Sequence, residues 1–282
     1  MNPISVNELT ESVNSNLPRD IKSTIAKNIL AEEKDSDVAK NIFSELINDL
    51  SSKTQREVVN ATGTVLHTNL GRSPNNISFS GSYTNIEYDL KTLSRGKRNE
   101  YLTVLMNNLI GSEDVAFVNN NASSLFLSLK AISKSHNIQN VIISRGEIIE
   151  IGGSYRLPEI INETGLNLVE IGTTNKTKLS DYRKALEKYP NSLVLKVHRS
   201  NFSINGFTED VSIEELAELK NNFDVFLFHD LGSGLVIDKK FLEINNISIF
   251  KDEPFVQDSL SDGSNLVMFS GDKLFGSVQS GM

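Results

Sequence analysis

Three groups of residues, each at or just past the end of an apolar run, carry side chains that could share one piece of chemistry. Asn120, Asn121 and Ala122 follow the run "VAFV" (115–118) and open a helical stretch. Asparagine at a helix start caps free N–H groups, and the same end attracts a phosphate. Asp230 closes "DVFLFHD" (224–230) and precedes the turn "LGSG". Lys273 stands in "FSGDKLFGS" (269–277), directly after Leu266-Val267-Met268. Taken singly, these read as a helix cap, an Asx turn and a polar turn. In this order on one scaffold they meet the three needs of pyridoxal 5'-phosphate. Its phosphate wants an anion site, its ring nitrogen an acid that keeps it protonated, and its aldehyde a lysine that holds it as a Schiff base. Ser270, in the same turn as Lys273, adds a hydrogen bond to the phosphate.

Other chemistry finds little support. Cysteine is absent, which removes disulfides, thiolate metal sites and cysteine nucleophiles. The motifs G-x-x-x-x-G-K-[ST], G-x-G-x-x-G and H-E-x-x-H do not occur. His67, His136, His198 and His229 lack metal-ligand spacing, so no metal is expected; His198 and His229 end predicted strands and could line a pocket. The net charge of −8 speaks against a protein coated in basic surface.

The elements that would position these residues form an α/β pattern. Short runs rich in Val, Ile, Leu and Phe, at 115–118, 140–144, 166–172, 192–198, 224–230 and 265–271, alternate with amphipathic segments such as "ASSLFLSLKAISKSH" and "SIEELAELKNNF". This predicts a mostly parallel sheet with helices on both faces, with ligands beyond the carboxyl ends of the strands. Residues 1–55 differ: they are polar and place Ile, Ala, Leu and Phe at helical intervals, which predicts a small appendage of two short helices before a large domain over 56–282. Of the 282 residues 38% are hydrophobic and 23% charged, an ordinary globular balance. With no membrane-length apolar run and no secretory signal, the expected location is the cytoplasm, with no membrane or DNA partner.

Longer stretches carry a resemblance. "REVVNATGTVLHTNLGRSP", "YTNIEYDLKTLSRGKR", "FVNNNASS", "VIISRGEIIEIGGSYRLPEII", "LVEIGTTNKTKLSDY", "VHRSNF", "FHDLGSGL" and "EPFVQDSLSDGSNLVMFSGDKLFG" resemble the bacterial selenocysteine synthases, the L-seryl-tRNA(Sec) selenium transferases. The resemblance covers about Arg56 to the last residue. It implies the large domain of a fold-type-I pyridoxal-phosphate transferase, with Lys273 as the Schiff-base lysine and general base. Asp230 is implied as the partner of the ring nitrogen, and Asn120, Asn121 and Ala122 as the phosphate-binding turn. Arg95 and Arg98 match an Arg-Gly-x-Arg motif whose guanidinium groups suit an anionic substrate. The implied reaction converts Ser-tRNA(Sec) to selenocysteinyl-tRNA(Sec) with selenophosphate, through a cofactor-bound dehydroalanyl intermediate. The implied assembly is a homo-oligomer, a ring of dimers in the family.

The sequence also departs from that pattern. It stops at "GSVQSGM", nine residues after Lys273 and before the family's C-terminal small domain, so it reads as a truncated chain. Between "LGRSP" and "YTNIEYDL" it carries only "NNISFSGS", too short for the family's helical connection. Leu93 stands where the family has glycine, and Ser277-Val278 where Gly-Pro is usual. Residues 1–55 match the family's tRNA-binding domain poorly and are not basic. Two other readings stay open on these residues: a related pyridoxal-phosphate lyase acting on a small amino acid or amino sugar, and an inactive remnant.

Overall fold

The computed structural model describes residues 4–282 apart from 53–56, 76, 79–80, 152–154 and 251, and the chain divides into two compact units, 1–61 and 62–282. The first unit holds α1 (Val6–Glu11), α2 (Arg19–Glu32) and α3 (Ser36–Ser51). Sequence periodicity predicts α2 and α3. It misses α1, whose start is a local signal: Ser5 and Glu8 form a capping box, each satisfying a backbone N–H of the other. The apolar positions of the three helices meet in a core around Leu9, Ala26, Phe43 and Ile47, all fully buried.

In the second unit, the pair β1 (Tyr88–Asp89) and β2 (Ser94–Arg95) precedes α4 (Glu100–Ile110), α5 (Asn121–Ser135) and β3 (Asn140–Ser144). There follow β4 (Glu150–Ile151), β5 (Tyr155–Arg156), α6 (Leu157–Glu163), β6 (Asn167–Ile171), α7 (Leu179–Lys188) and β7 (Ser192–Val197). The unit ends with α8 (Ile213–Ala217), β8 (Phe226–Gly232), α9 (Lys239–Ile244), α10 (Val256–Ser261) and β9 (Leu266–Phe269). The main sheet has five strands in the order β6-β3-β7-β8-β9, all parallel.

Side-chain alternation explains why both faces are covered. Val141, Ile143, Leu193 and Leu195 point to one face, where they pack with Leu125, Leu129 and Ile132 of α5 and Leu157 and Ile161 of α6. Ile142, Val194 and Leu227 point to the other face and meet Tyr182 and Leu186 of α7 and Leu216 of α8. Strands apolar on both sides must be roofed on both sides, and the α/β arrangement does this.

One expected strand does not form. Val115–Val118 makes a single antiparallel bridge, from Val118 to Gly281, and Gly281 in turn bridges Ser270. A strand needs a partner along its length, and among the described residues this run is bridged at Val118 alone. Among the described residues of 74–82 there is no helix, in keeping with the short connection.

Leu93, the residue found in place of glycine, has φ +52°. A side chain in the left-handed region costs about 1 kcal/mol relative to glycine. Leu93→Gly is therefore expected to raise the unfolding free energy by up to about 1 kcal/mol, because the relief of strain exceeds the added freedom of the unfolded chain. Urea unfolding of the two proteins measures it; a destabilised variant would mean that the exposed hairpin relies on the leucine side chain.

Candidate active site

The carboxyl ends of β7, β8 and β9 and the first turn of α5 surround a cavity of about 990 Å³. Parallel strands direct their carboxyl ends to one edge of the sheet, so residues far apart in sequence converge there. Asn120, Asn121, Ala122, Asp230, Ser270 and Lys273 all line this cavity.

Each is held by an identifiable contact. Asn120 is extended, and its Oδ1 accepts the N–H of Ser123 at 2.8 Å, which caps α5. Asn121 donates from Nδ2 to Asp230 Oδ1 at 3.0 Å, so the helix start and β8 are joined inside the site. The same oxygen accepts the Gly232 N–H at 3.0 Å, across a register shift between Asp230 and Gly232 that re-aims the end of β8. Ser270 donates its N–H to Gly232 O and Leu274 donates to Ser233 O, which fasten both ends of the Lys273 turn to β8. A Cβ placed on Gly232 would stand 4.0 Å from Lys273 Nζ, so the amine lies beside that bare stretch of backbone.

Burial sets the electrostatics. It pushes the Lys273 amine below the usual lysine range, more strongly than Asp230 draws it up, and Arg72 adds to the depression. It also raises the carboxyl of Asp230 above the usual aspartate range, against the hydrogen bonds from Asn121 and Gly232. Both shifts favour the uncharged forms, and a cation placed against Asp230 would reverse the second.

The cavity wall also contains residues to which the sequence reading gives no role in the site. Thr64, His67, Thr68, Asn69 and Arg72 come from a segment without regular structure apart from a short 3₁₀ turn at Thr68–Leu70. Arg72 Nη1 bonds Asp272 Oδ2 at 2.9 Å, and Ser73 N–H donates to the Asp272 carbonyl at 3.1 Å. These two bonds tie that segment to the residue before Lys273. Of the two strand-end histidines, His198 lines the cavity, with Nε2 3.3 Å from Glu253 Oε2 but outside hydrogen-bond geometry. His229 instead is buried, bonded through Nδ1 to Ser259 Oγ at 2.6 Å, and its pKa falls to about 3 through burial. Arg95 and Arg98 are not brought to the cavity. They lie on the β1–β2 hairpin and just after it, largely exposed, and both pair with Glu87.

Known proteins locate this arrangement. Residues 58–282 match the family model described as L-seryl-tRNA selenium transferase. The chain is 42% identical to the L-seryl-tRNA(Sec) selenium transferase of Aliarcobacter butzleri (strain RM4018), over 94% of this chain and 61% of that protein. It is 46% identical to the enzyme of the same name from Moorella thermoacetica, over 80% of this chain and 48% of that protein. It therefore spans about half to three-fifths of the length of these relatives. Among solved structures, D-glucosaminate-6-phosphate ammonia-lyase superposes with a TM-score of 0.50 at 16% identity, over 64% of this chain and 46% of that one, a likeness of fold. Since the family match runs from just before the cavity's first lining residue to the last residue of the chain, taking in every side chain placed around Lys273, this chain belongs to the L-seryl-tRNA selenium transferase family.

Proposed function

We propose that this chain supplies the cofactor-binding core of an L-seryl-tRNA(Sec) selenium transferase, with pyridoxal 5'-phosphate as its cofactor. The observation that carries the reading is the convergence of Lys273, Asp230 and the capped start of α5 on one cavity. The fit is chemical as well as spatial. Asn121 Oδ1 and His198 Nε2 are buried polar atoms of the cavity wall with no hydrogen-bond partner, and Asp230 is a buried carboxylate with no cation bonded to it among the described contacts. A polar, anionic ligand with a protonated ring nitrogen answers both needs.

Asn120, Asn121, Ala122 and Ser270 would hold the phosphate, where the N–H groups at the helix start favour an anion. Asp230 would keep the ring nitrogen protonated. Bound there, the cofactor supplies a sink for negative charge developing on the α-carbon of a seryl group, which lets the β-hydroxyl leave and a selenium nucleophile from selenophosphate take its place. Lys273 would have two roles: its Nζ would hold the cofactor's aldehyde, and the same Nζ, when free, would take the α-proton of the substrate. An amine whose pKa is depressed by burial is suited to both, because more of it is unprotonated near neutral pH. Arg72 lines the same cavity and places a guanidinium beside the lysine for an anionic group. In this reading the partners are Ser-tRNA(Sec), selenophosphate and further copies of the chain, and Arg95 and Arg98, outside the cavity, would meet substrate that extends beyond it.

The test is to add pyridoxal 5'-phosphate to the purified chain, reduce with borohydride and map the modified peptide. A single label on Lys273 is expected. Labels scattered over surface lysines, or none, would overturn the cofactor assignment. Transfer of selenium from selenophosphate to serylated tRNA(Sec), with no turnover of free serine, then separates the transferase from a lyase of small amino acids.

A further inference from the structure

Behind the cavity wall formed by His198–Asn201 lies a cluster of charges that the proposed chemistry does not use. The ladder between β3 and β7 ends at the pair Ile142 and Val194, and after Ser144 the chain turns into the short 3₁₀ segment Arg145–Glu147. Beyond that point β7 has lost its neighbour on one side. His198 N–H faces the other side, where it donates to the Asp230 carbonyl at 2.8 Å. By alternation, the N–H of Val197 points to the side that β3 has left. Its acceptor is a side chain: Glu147 Oε2, at 3.0 Å.

Glu147 is 1% exposed and cannot sit there as a lone anion. Its Oε1 accepts from Lys196 Nζ at 2.5 Å, the same ammonium donates to Asp210 Oδ1 at 2.9 Å, and Asp210 Oδ2 accepts from Arg199 Nη2 at 2.8 Å. The turn that carries Glu147 has no room to slide, since a Cβ on Gly146 would come within 2.6 Å of the Thr174 carbonyl oxygen. Burial lifts the Glu147 carboxyl to about 7, so its charge depends on the neighbouring ammonium of Lys196. The cluster is thus fixed at both ends. One end is the packed Gly146 turn, and the other is the backbone that leads directly into His198, Ser200 and Asn201 of the cavity wall.

The geometry points to Glu147 and Lys196 as positioning residues: the Glu147 carboxylate takes the place of the strand partner that β3 withdraws and, through Val197, holds the His198–Asn201 wall against the cavity. The inference rests on the cofactor reading only for its second readout. Glu147→Gln, which keeps an acceptor for Val197 but removes one of the two carboxylates that hold the Lys196 ammonium and leaves it with Asp210, is expected to speed amide exchange of peptides covering 197–203 by about tenfold, while β6 and α7 keep their protection. Affinity for pyridoxal 5'-phosphate, followed by absorbance titration, is expected to fall by about tenfold. The double variant Glu147→Gln/Lys196→Met, in which both partners are uncharged and of similar size, should recover most of both losses, as coupled residues do.

Unchanged exchange at 197–203 in Glu147→Gln would overturn the inference, and so would acceleration spread equally over β6 and α7. Should that variant fail to fold, Lys196→Met alone gives the same two outcomes. If the unsubstituted chain does not take up pyridoxal 5'-phosphate, the cofactor reading fails while the exchange measurement still decides this one.

Discussion

Asp230→Asn is expected to stabilise the chain while weakening its hold on pyridoxal 5'-phosphate. Asparagine has the shape of aspartate, so Oδ1 still accepts from Asn121 Nδ2 and the Gly232 N–H. What disappears is a buried negative charge. The folded protein raises the Asp230 pKa, so it binds this proton more tightly than the unfolded chain does. Stability of the unsubstituted chain therefore falls as pH rises from the ordinary value of 3.8 through the raised folded value, and is level above it. The substitution removes that penalty, so its benefit should be small at acidic pH, grow across this window and then stay constant. Near neutral pH it should appear as a rise in the thermal midpoint. With the cofactor the sign reverses. A protonated ring nitrogen facing asparagine has lost a buried ionic partner, a loss of about 3 kcal/mol or roughly a hundredfold in affinity. Thermal unfolding at several pH values and an absorbance titration measure the two effects. A less stable variant with unchanged affinity would place the role of Asp230 in folding instead of in the site.

What the sequence discloses follows from how local each interaction is. The runs that form β3, β6, β7, β8 and β9 stand out because their side chains are apolar on both faces and bounded by turn residues, and each forms within about two residues of the expected span. "VAFV" has the same composition and does not form a strand, since strand formation needs a neighbour along the run and, among the described residues, it is bridged only at Val118. Asp230 and Lys273 are visible because they stand at or just past strand ends where parallel sheets bind ligands, and Asn120 because it caps the start of α5. Arg72 and Glu147 are not. Arg72 comes from a segment with no periodicity and gains its place from one ion pair with a residue 200 positions away. Glu147 carries no motif or periodicity of its own in "SRGE", and its place is set only by the fold, in which its carboxylate accepts the N–H of Val197. Conversely, Arg95 and Arg98 had a motif to recommend them, and the fold sets them on an exposed hairpin against Glu87.

Lys273→Ala tests the centre of the proposal, and its effect should be the largest of any single change. The borohydride-fixed label should vanish from this peptide, because no other amine in the cavity lining can reach the aldehyde: the remaining cationic side chain there is Arg72, whose guanidinium keeps its proton and pairs with Asp272. Binding should persist in weaker form, since Asn120, Asn121 and Asp230 are untouched; equilibrium dialysis of pyridoxal 5'-phosphate shows this where borohydride cannot. In transfer assays the loss of the proton-accepting Nζ alone predicts a fall of roughly 10²–10⁴ in rate. Lys273→Arg should do no better, as it restores the charge without a releasable proton. The pH dependence of labelling in the unsubstituted chain provides a separate check. Burial depresses the amine, so labelling of Lys273 should level off at a lower pH than that of exposed lysines, which continues to rise toward their ordinary range. If the label on Lys273 instead rose in parallel with the surface lysines, the amine would be solvated, and burial would not be what makes it a base.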